Sequence, residues 1–170
     1  LPLALPISLL LLTACGPLLI RDDARGTYVP AQFGTFELFK EVTVRSGRTR
    51  VYLQGGAVVF GVNEFLPHCQ LEVNTLKDAP QEIVPDTFTL TRVTTRTDQI
   101  VQAAPLQLAA LEGFRTSHFY ERDSGEIRRM YTYVFFLHSD RQPDVRALTC
   151  GGAFDTPGLA ERPTLGEIAE

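Results

Sequence analysis

The sequence predicts a mainly β domain: an antiparallel sandwich or small barrel of about eight strands, with a short helix at the C-terminal end. Three observations carry this. Apolar and polar residues alternate with period two through 35–44 and again through 69–74. Gly-containing pairs punctuate the chain at short intervals, as at Ser46-Gly47 and Gly55-Gly56. Helical spacing occurs only in brief stretches, the last of them opened by Thr164-Leu165-Gly166-Glu167.

From Thr35, Phe36, Leu38, Val42 and Val44 share one face, while Glu37, Glu41 and Thr43 share the other. Ser46-Gly47 makes a turn into a strand over 49–54. Gly55-Gly56 then reads as a two-residue hairpin turn into 57–62, because both positions can take positive φ without a Cβ clash. Residues 63–67 form a loop. Cys69, Leu71 and Val73 alternate with Gln70, Glu72 and Asn74, which puts Cys69 on the apolar face. Residues 77–85 hold two prolines and read as a loop. Residues 87–93 and 97–102 are Thr/Val-rich and strand-like, and 103–113 has the spacing of a short helix stopped by Gly113.

A hairpin is expected over 114–139, turning at Asp123-Ser124-Gly125-Glu126. A two-residue loop there sets Glu121 opposite Arg128, His118 opposite Tyr131 and Tyr120 opposite Arg129. After a turn at 140–144, residues 145–150 form a last strand closed by Gly151-Gly152. The β domain is thus expected over 35–156, followed by a Pro-containing tail with a short helix over 157–170.

The 170 residues suit one domain of ordinary size, and an apolar fraction of 44% argues against disorder. A net charge of −4 argues against nucleic acid as a partner. Of 16 basic residues only Lys40 and Lys77 are lysines.

No charge precedes Arg21, and the apolar opening run ends at Leu12-Thr13-Ala14-Cys15. This resembles the lipobox of bacterial lipoprotein signal peptides. The resemblance implies an N-terminally incomplete signal peptide over 1–14, acylation of Cys15 as the mature N-terminus, and anchorage in a bilayer of the cell envelope. Gly16, where Asp would imply inner-membrane retention in enteric-type bacteria, implies the outer membrane with the domain facing the periplasm. Residues 15–34 read as lipidated Cys and flexible tether. Pro17, Gly26, Pro30 and Gly34 punctuate it, and a flexible linker of this length has an end-to-end distance of about 25 Å.

With Cys15 assigned to lipid, Cys69 and Cys150 remain as an even pair in an oxidising compartment, and a disulfide between them is expected. A weaker alternative is a metal site of His68, Cys69 and Cys150 with His118 or His138, since N/S ligands suit Zn or Cu(I); the spacing matches no established ligand pattern. Ser46 and Ser124 sit beside Gly in turns, and Ser117 and Ser139 adjoin His in strands, where neighbours point to opposite faces. The same geometry separates His68 from Cys69. No Gly-x-Ser-x-Gly elbow and no phosphate-binding glycine loop occurs. No catalytic residue and no cofactor is therefore assigned.

The basic group Arg45, Arg48 and Arg50 around the Ser46-Gly47 turn reads as a solvated turn, with lipid headgroups or an anionic glycan as the alternative contact. The aromatic face of the 114–139 hairpin has two readings. It is half of the core, or it lines a ligand groove through His118, Tyr120, Arg129, Tyr131 and Tyr133. The functional expectation is a membrane-anchored, non-enzymatic envelope protein that binds another envelope protein or a glycan. A periplasmic small-ligand or metal-binding domain is the second reading, and an enzyme of unrecognised type the third.

Overall fold

The computed structural model describes residues 16–31, 34–101 and 127–169. Among them, eleven strands and one helix follow in order: β1 (Leu19–Asp22), β2 (Thr27–Pro30), β3 (Thr35–Leu38), β4 (Val42–Val44), β5 (Arg50–Gln54), β6 (Ala57–Val59), β7 (His68–Val73), β8 (Gln81–Ile83), β9 (Asp86–Val101), β10 (Ile127–His138), β11 (Val145–Gly151) and α1 (Leu165–Ala169). Seven strands make one curled antiparallel sheet, a half-barrel, in the order β3-β9-β10-β11-β7-β5-β6. The hairpin β1-β2 and the pair β4-β8 are separate two-stranded sheets. The mainly β expectation holds, in the form of a curled seven-stranded half-barrel sheet with two small two-stranded sheets and a short C-terminal helix.

The register explains the core. Val51 pairs with Leu71, Leu71 with Leu148, Leu148 with Phe135, and Phe135 with Val93, so one apolar row crosses five strands. The neighbouring row runs Leu53, Cys69, Cys150, Tyr133. Period-two alternation puts both rows on the same face of the sheet. Val42 and Val44 of β4, Ile83 of β8 and Ile20 of β1 join them in one buried cluster. The small sheets therefore supply the second layer that an open sheet needs to bury its apolar face. The strands at the two ends of the sheet are short, β6 of three residues and β3 of four, and β3 pairs only with Asp86–Thr89 of β9.

Several local expectations are met. Gly55 and Gly56 take φ of 57° and 71° between Gln54 and Ala57, which face each other across the turn. Gly47 takes φ 68° in the turn after β4, and its amide donates to the Lys77 carbonyl at 2.8 Å. Thr164 caps α1: its amide donates to Glu167 Oε2 at 2.8 Å, and the Glu167 amide returns a bond to Thr164 Oγ1 at 3.4 Å.

Other expectations are corrected. Residues 18–31 do not form a tether. They fold as the hairpin β1-β2, with Ile20 2% and Asp22 6% exposed, and the Tyr133 hydroxyl donates to the Leu19 carbonyl at 3.1 Å. Burying Ile20 contributes roughly 1.5–3 kcal/mol, which offsets ordering that the local sequence alone would not support. The β domain thus begins before Thr35. Residues 77–85 contain β8, which pairs with β4. The two strand-like stretches over 87–102 form one continuous strand, β9, with a register shift opposite Phe136/Leu137.

The expected hairpin register over 114–139 is also overturned. A strand has two edges. β10 gives one edge to β9 from Ile127 to His138, and the other to β11 from Thr132 to Phe136 and to Asp155 at Arg129. Both edges of β10 are thus taken from Thr132 to Phe136, where the expected register needed one of them. The helix expected at 103–113 and the first arm of that hairpin lie outside the described residues. The tail packs back on the domain: Pro163 is fully buried, and Ile168 leans on the core.

Candidate functional site

The rows of the sheet do not stay covered to its end. Beyond Leu38 the chain leaves β3, which belongs to the large sheet, and crosses to β4, which belongs to the small one. The crossing residues Phe39–Glu41, the β5-β6 hairpin and the end of α1 frame a groove of about 750 Å³. Its floor is Leu53 and Cys69, the end of the second core row, together with Leu148 of the first, and its walls include Phe36, Val42 and Ile168. The rim is apolar and exposed: Phe39 is 77% accessible, Leu66 51% and Val58 44%. Glu37, Lys40 and Glu41 set charge around the opening. A concave, largely apolar site with a few charged groups at its mouth is the ordinary form of a binding groove, and contiguous exposed apolar side chains mark interaction surfaces.

A second concavity, of about 320 Å³, lies on the opposite face of the same sheet. It is lined by Arg50 and Tyr52 of β5, Gln70 of β7, Thr149 of β11, Thr132 of β10 and Asp98 of β9, beside Phe154. Thr132 Oγ1 donates to Asp98 Oδ2 at 3.1 Å, and Arg96 Nε lies 3.1 Å from Asp98 Oδ1. Arg50 Nη1 donates to Gln70 Oε1 at 3.4 Å. This cleft mixes donors and acceptors, whereas the groove is apolar.

The sequence-derived candidates fall as follows. Cys69 and Cys150 form a disulfide, as expected, directly opposite each other on β7 and β11 with Cα atoms 4.1 Å apart. With both sulfurs committed and His68 on the other face of the sheet, the set His68, Cys69 and Cys150 does not make a metal site. His68 Nδ1 lies 3.0 Å from the Leu66 carbonyl. No group of three His, Cys, Asp or Glu residues able to hold a metal occurs among the described residues. Tyr133 is 1% exposed and is core, which removes it from the ligand set; Tyr131 is half-buried, and the Arg162 guanidinium lies 5.6 Å from its ring centre. Arg129 is half-buried beside the Asp155 bridge. His118, Tyr120 and Cys15 lie outside the described residues.

Of the arginine cluster, Arg45 stacks over Phe60 at 3.5 Å and Arg50 bonds Gln70. That is the solvated-turn reading with a cation–π contact added. The strongest carboxylate perturbation is also structural. Asp86 is held below its ordinary range chiefly by the Ser139 hydroxyl, which donates at 2.7 Å, then by Gln142 Nε2 at 3.1 Å, with the Thr87 amide and Arg141 adding to this and burial opposing it. This network ties the β10-β11 turn to the start of β9.

Of the groove residues, the sequence marks only His68 and Cys69 as candidates, and for other roles, but one further signal is there. Phe39 falls out of phase with Phe36 and Leu38, on the side otherwise occupied by Glu37 and Glu41. Fold and site together define a disulfide-stapled antiparallel half-barrel with an open apolar groove. No protein-family model, curated protein or solved structure matches this chain. No helix among the described residues is long and apolar enough to cross a membrane.

Proposed function

We propose that the chain is a lipid-anchored protein of the bacterial envelope, held through acylated Cys15 at the periplasmic side of the outer membrane, and that its half-barrel binds another envelope component without performing chemistry on it. The observation that carries the binding role is the apolar groove, whose floor is sheet core and whose rim leaves Phe39, Val58 and Leu66 in solvent. The lipobox-like run ending at Cys15 and the Cys69–Cys150 disulfide support an extracytoplasmic setting. An apolar segment flanked by positive charge matches the groove, because Glu37 and Glu41 at the mouth outnumber Lys40.

The test is photo-crosslinking in intact cells from a reactive residue placed at Val58, with Gly158, whose would-be side chain meets open space, as comparison. A discrete adduct from Val58 that disappears in Leu53→Glu, with none from Gly158, is the expected result. Equal adducts from both positions refute the groove. Palmitate incorporation lost in Cys15→Ser tests the anchor separately. The polar cleft supports a second reading, a glycan ligand, since Asp98, Gln70, Arg50 and Tyr52 offer the mixed hydrogen-bonding groups and aromatic surface that sugar hydroxyls and ring faces require.

A further inference from the structure

The fold leaves almost no slack between the anchor and the domain. Gly16, Pro17 and Leu18 are all that separate Cys15 from Leu19, the first residue of β1. Leu18 itself is not free: it packs against the core, and its carbonyl accepts the Ala31 amide at 2.8 Å. Three residue steps from Cys15 to Leu18 reach at most about 11 Å. The headgroup layer of one leaflet is itself roughly 5–7 Å thick. A domain of this length cannot stand clear of the surface on such a link, so the side on which β1 begins rests on the bilayer.

The surface it would set down there has the right composition. In the β1-β2 register Leu19 faces Pro30 and Arg21 faces Tyr28. These four side chains share the outer face of the hairpin, opposite buried Ile20 and Asp22. Leu19 is 45% and Tyr28 66% exposed. Arg21 is paired with Asp23 at 3.3 Å, and Arg25 with Asp22 at 3.7 Å, so the hairpin carries no unbalanced negative charge to repel an anionic surface. Tyr suits the membrane–water boundary because its ring is apolar and its hydroxyl wet, and Arg can lay its stem along apolar surface with its head in the phosphates.

We infer that the outer face of the β1-β2 hairpin, formed by Leu19, Arg21, Tyr28 and Pro30, lies against the phospholipid bilayer that holds Cys15. This rests on the lipid-anchor reading and adds an orientation to it. The hairpin is then the membrane-contact element of the domain.

The chain contains no Trp, so a single introduced Trp reports its own surroundings. The acylated full-length protein is placed in phosphatidylethanolamine–phosphatidylglycerol vesicles with and without bromine on the acyl chains. Tyr28→Trp carries the reporter on the hairpin face, Leu19→Trp is a second reporter on the same face, and Phe60→Trp places it on the exposed β6 end. Emission from Tyr28→Trp is expected to fall by about half in brominated vesicles, since a side chain at the headgroup–acyl boundary sits within reach of the bromines. Phe60→Trp is expected to be unaffected. No quenching at either hairpin position, with palmitate still incorporated, overturns the orientation and leaves the anchor standing. Equal quenching at Phe60 and the hairpin overturns it too. Loss of the orientation because Cys15 takes up no palmitate is read directly from the label and brings down the anchor as well.

Discussion

The disulfide offers the sharpest stability test. Cys69 and Cys150 are 81 residues apart in sequence, yet they face each other across the β7-β11 ladder, both buried in the second core row. The ladder holds the two strands together in the native state without help from the sulfurs. The bond's main effect is therefore on the unfolded chain, whose entropy it restricts. For a closed loop of about 80 residues the chain-entropy relation gives about 4.5 kcal/mol at room temperature. Domains of this kind are stable by only about 5–15 kcal/mol in all, so the loss removes about 30% or more of the total. Cys69→Ala/Cys150→Ala is compared with the oxidised protein by urea unfolding followed by far-ultraviolet circular dichroism. With a slope of about 2 kcal/mol per molar urea, the midpoint should fall by about 2 M. The slope should change as well, because the uncrosslinked denatured chain is more expanded. A midpoint shift below about 0.5 M would refute the reasoning, since it would mean that the two strands are already held near each other in the unfolded ensemble.

Three further outcomes are expected. In Ser139→Ala the Asp86 carboxyl loses the largest of the bonds that hold it below its ordinary value of 3.8. A depressed folded-state pKa contributes stability that is present above the unfolded value and lost as pH falls through the folded one, so the variant is less stable near neutrality and the two stability curves converge below about pH 4; a gap that persists into acid contradicts the assignment. Tyr133→Phe removes the hydroxyl that donates to Leu19 and should cost about 1 kcal/mol, with amide exchange speeding up in β1-β2 before the large sheet. Gly152→Ala would put a Cβ 2.6 Å from the Glu161 carbonyl oxygen, a backbone atom that cannot swing aside, and should cost about 1–3 kcal/mol in thermal unfolding, whereas Gly158→Ala meets open space and should be close to neutral.

The residues show why some of this protein is legible from its sequence and some is not. Faces of strands are local: the alternation of Cys69, Leu71 and Val73 with their polar neighbours already puts the disulfide inside, and β7 shows that pattern in its burial. Turns and caps are local too, since Gly55-Gly56 and Thr164–Glu167 act within a few bonds of themselves. Pairing is not local. Tyr131 and Tyr133 alternate identically whether β10 pairs with 114–121 or with β9 and β11; burial of the whole apolar row selects the latter. The β1-β2 hairpin is the clearest case. Pro17, Gly26 and Pro30 read as linker, and only the core beneath Ile20 and the hydroxyl of Tyr133, more than a hundred residues away, make it a strand pair. The groove arises the same way, because it exists only where the chain steps from one sheet to another. Local periodicity determines which way side chains point, whereas burial summed over distant residues decides what they meet.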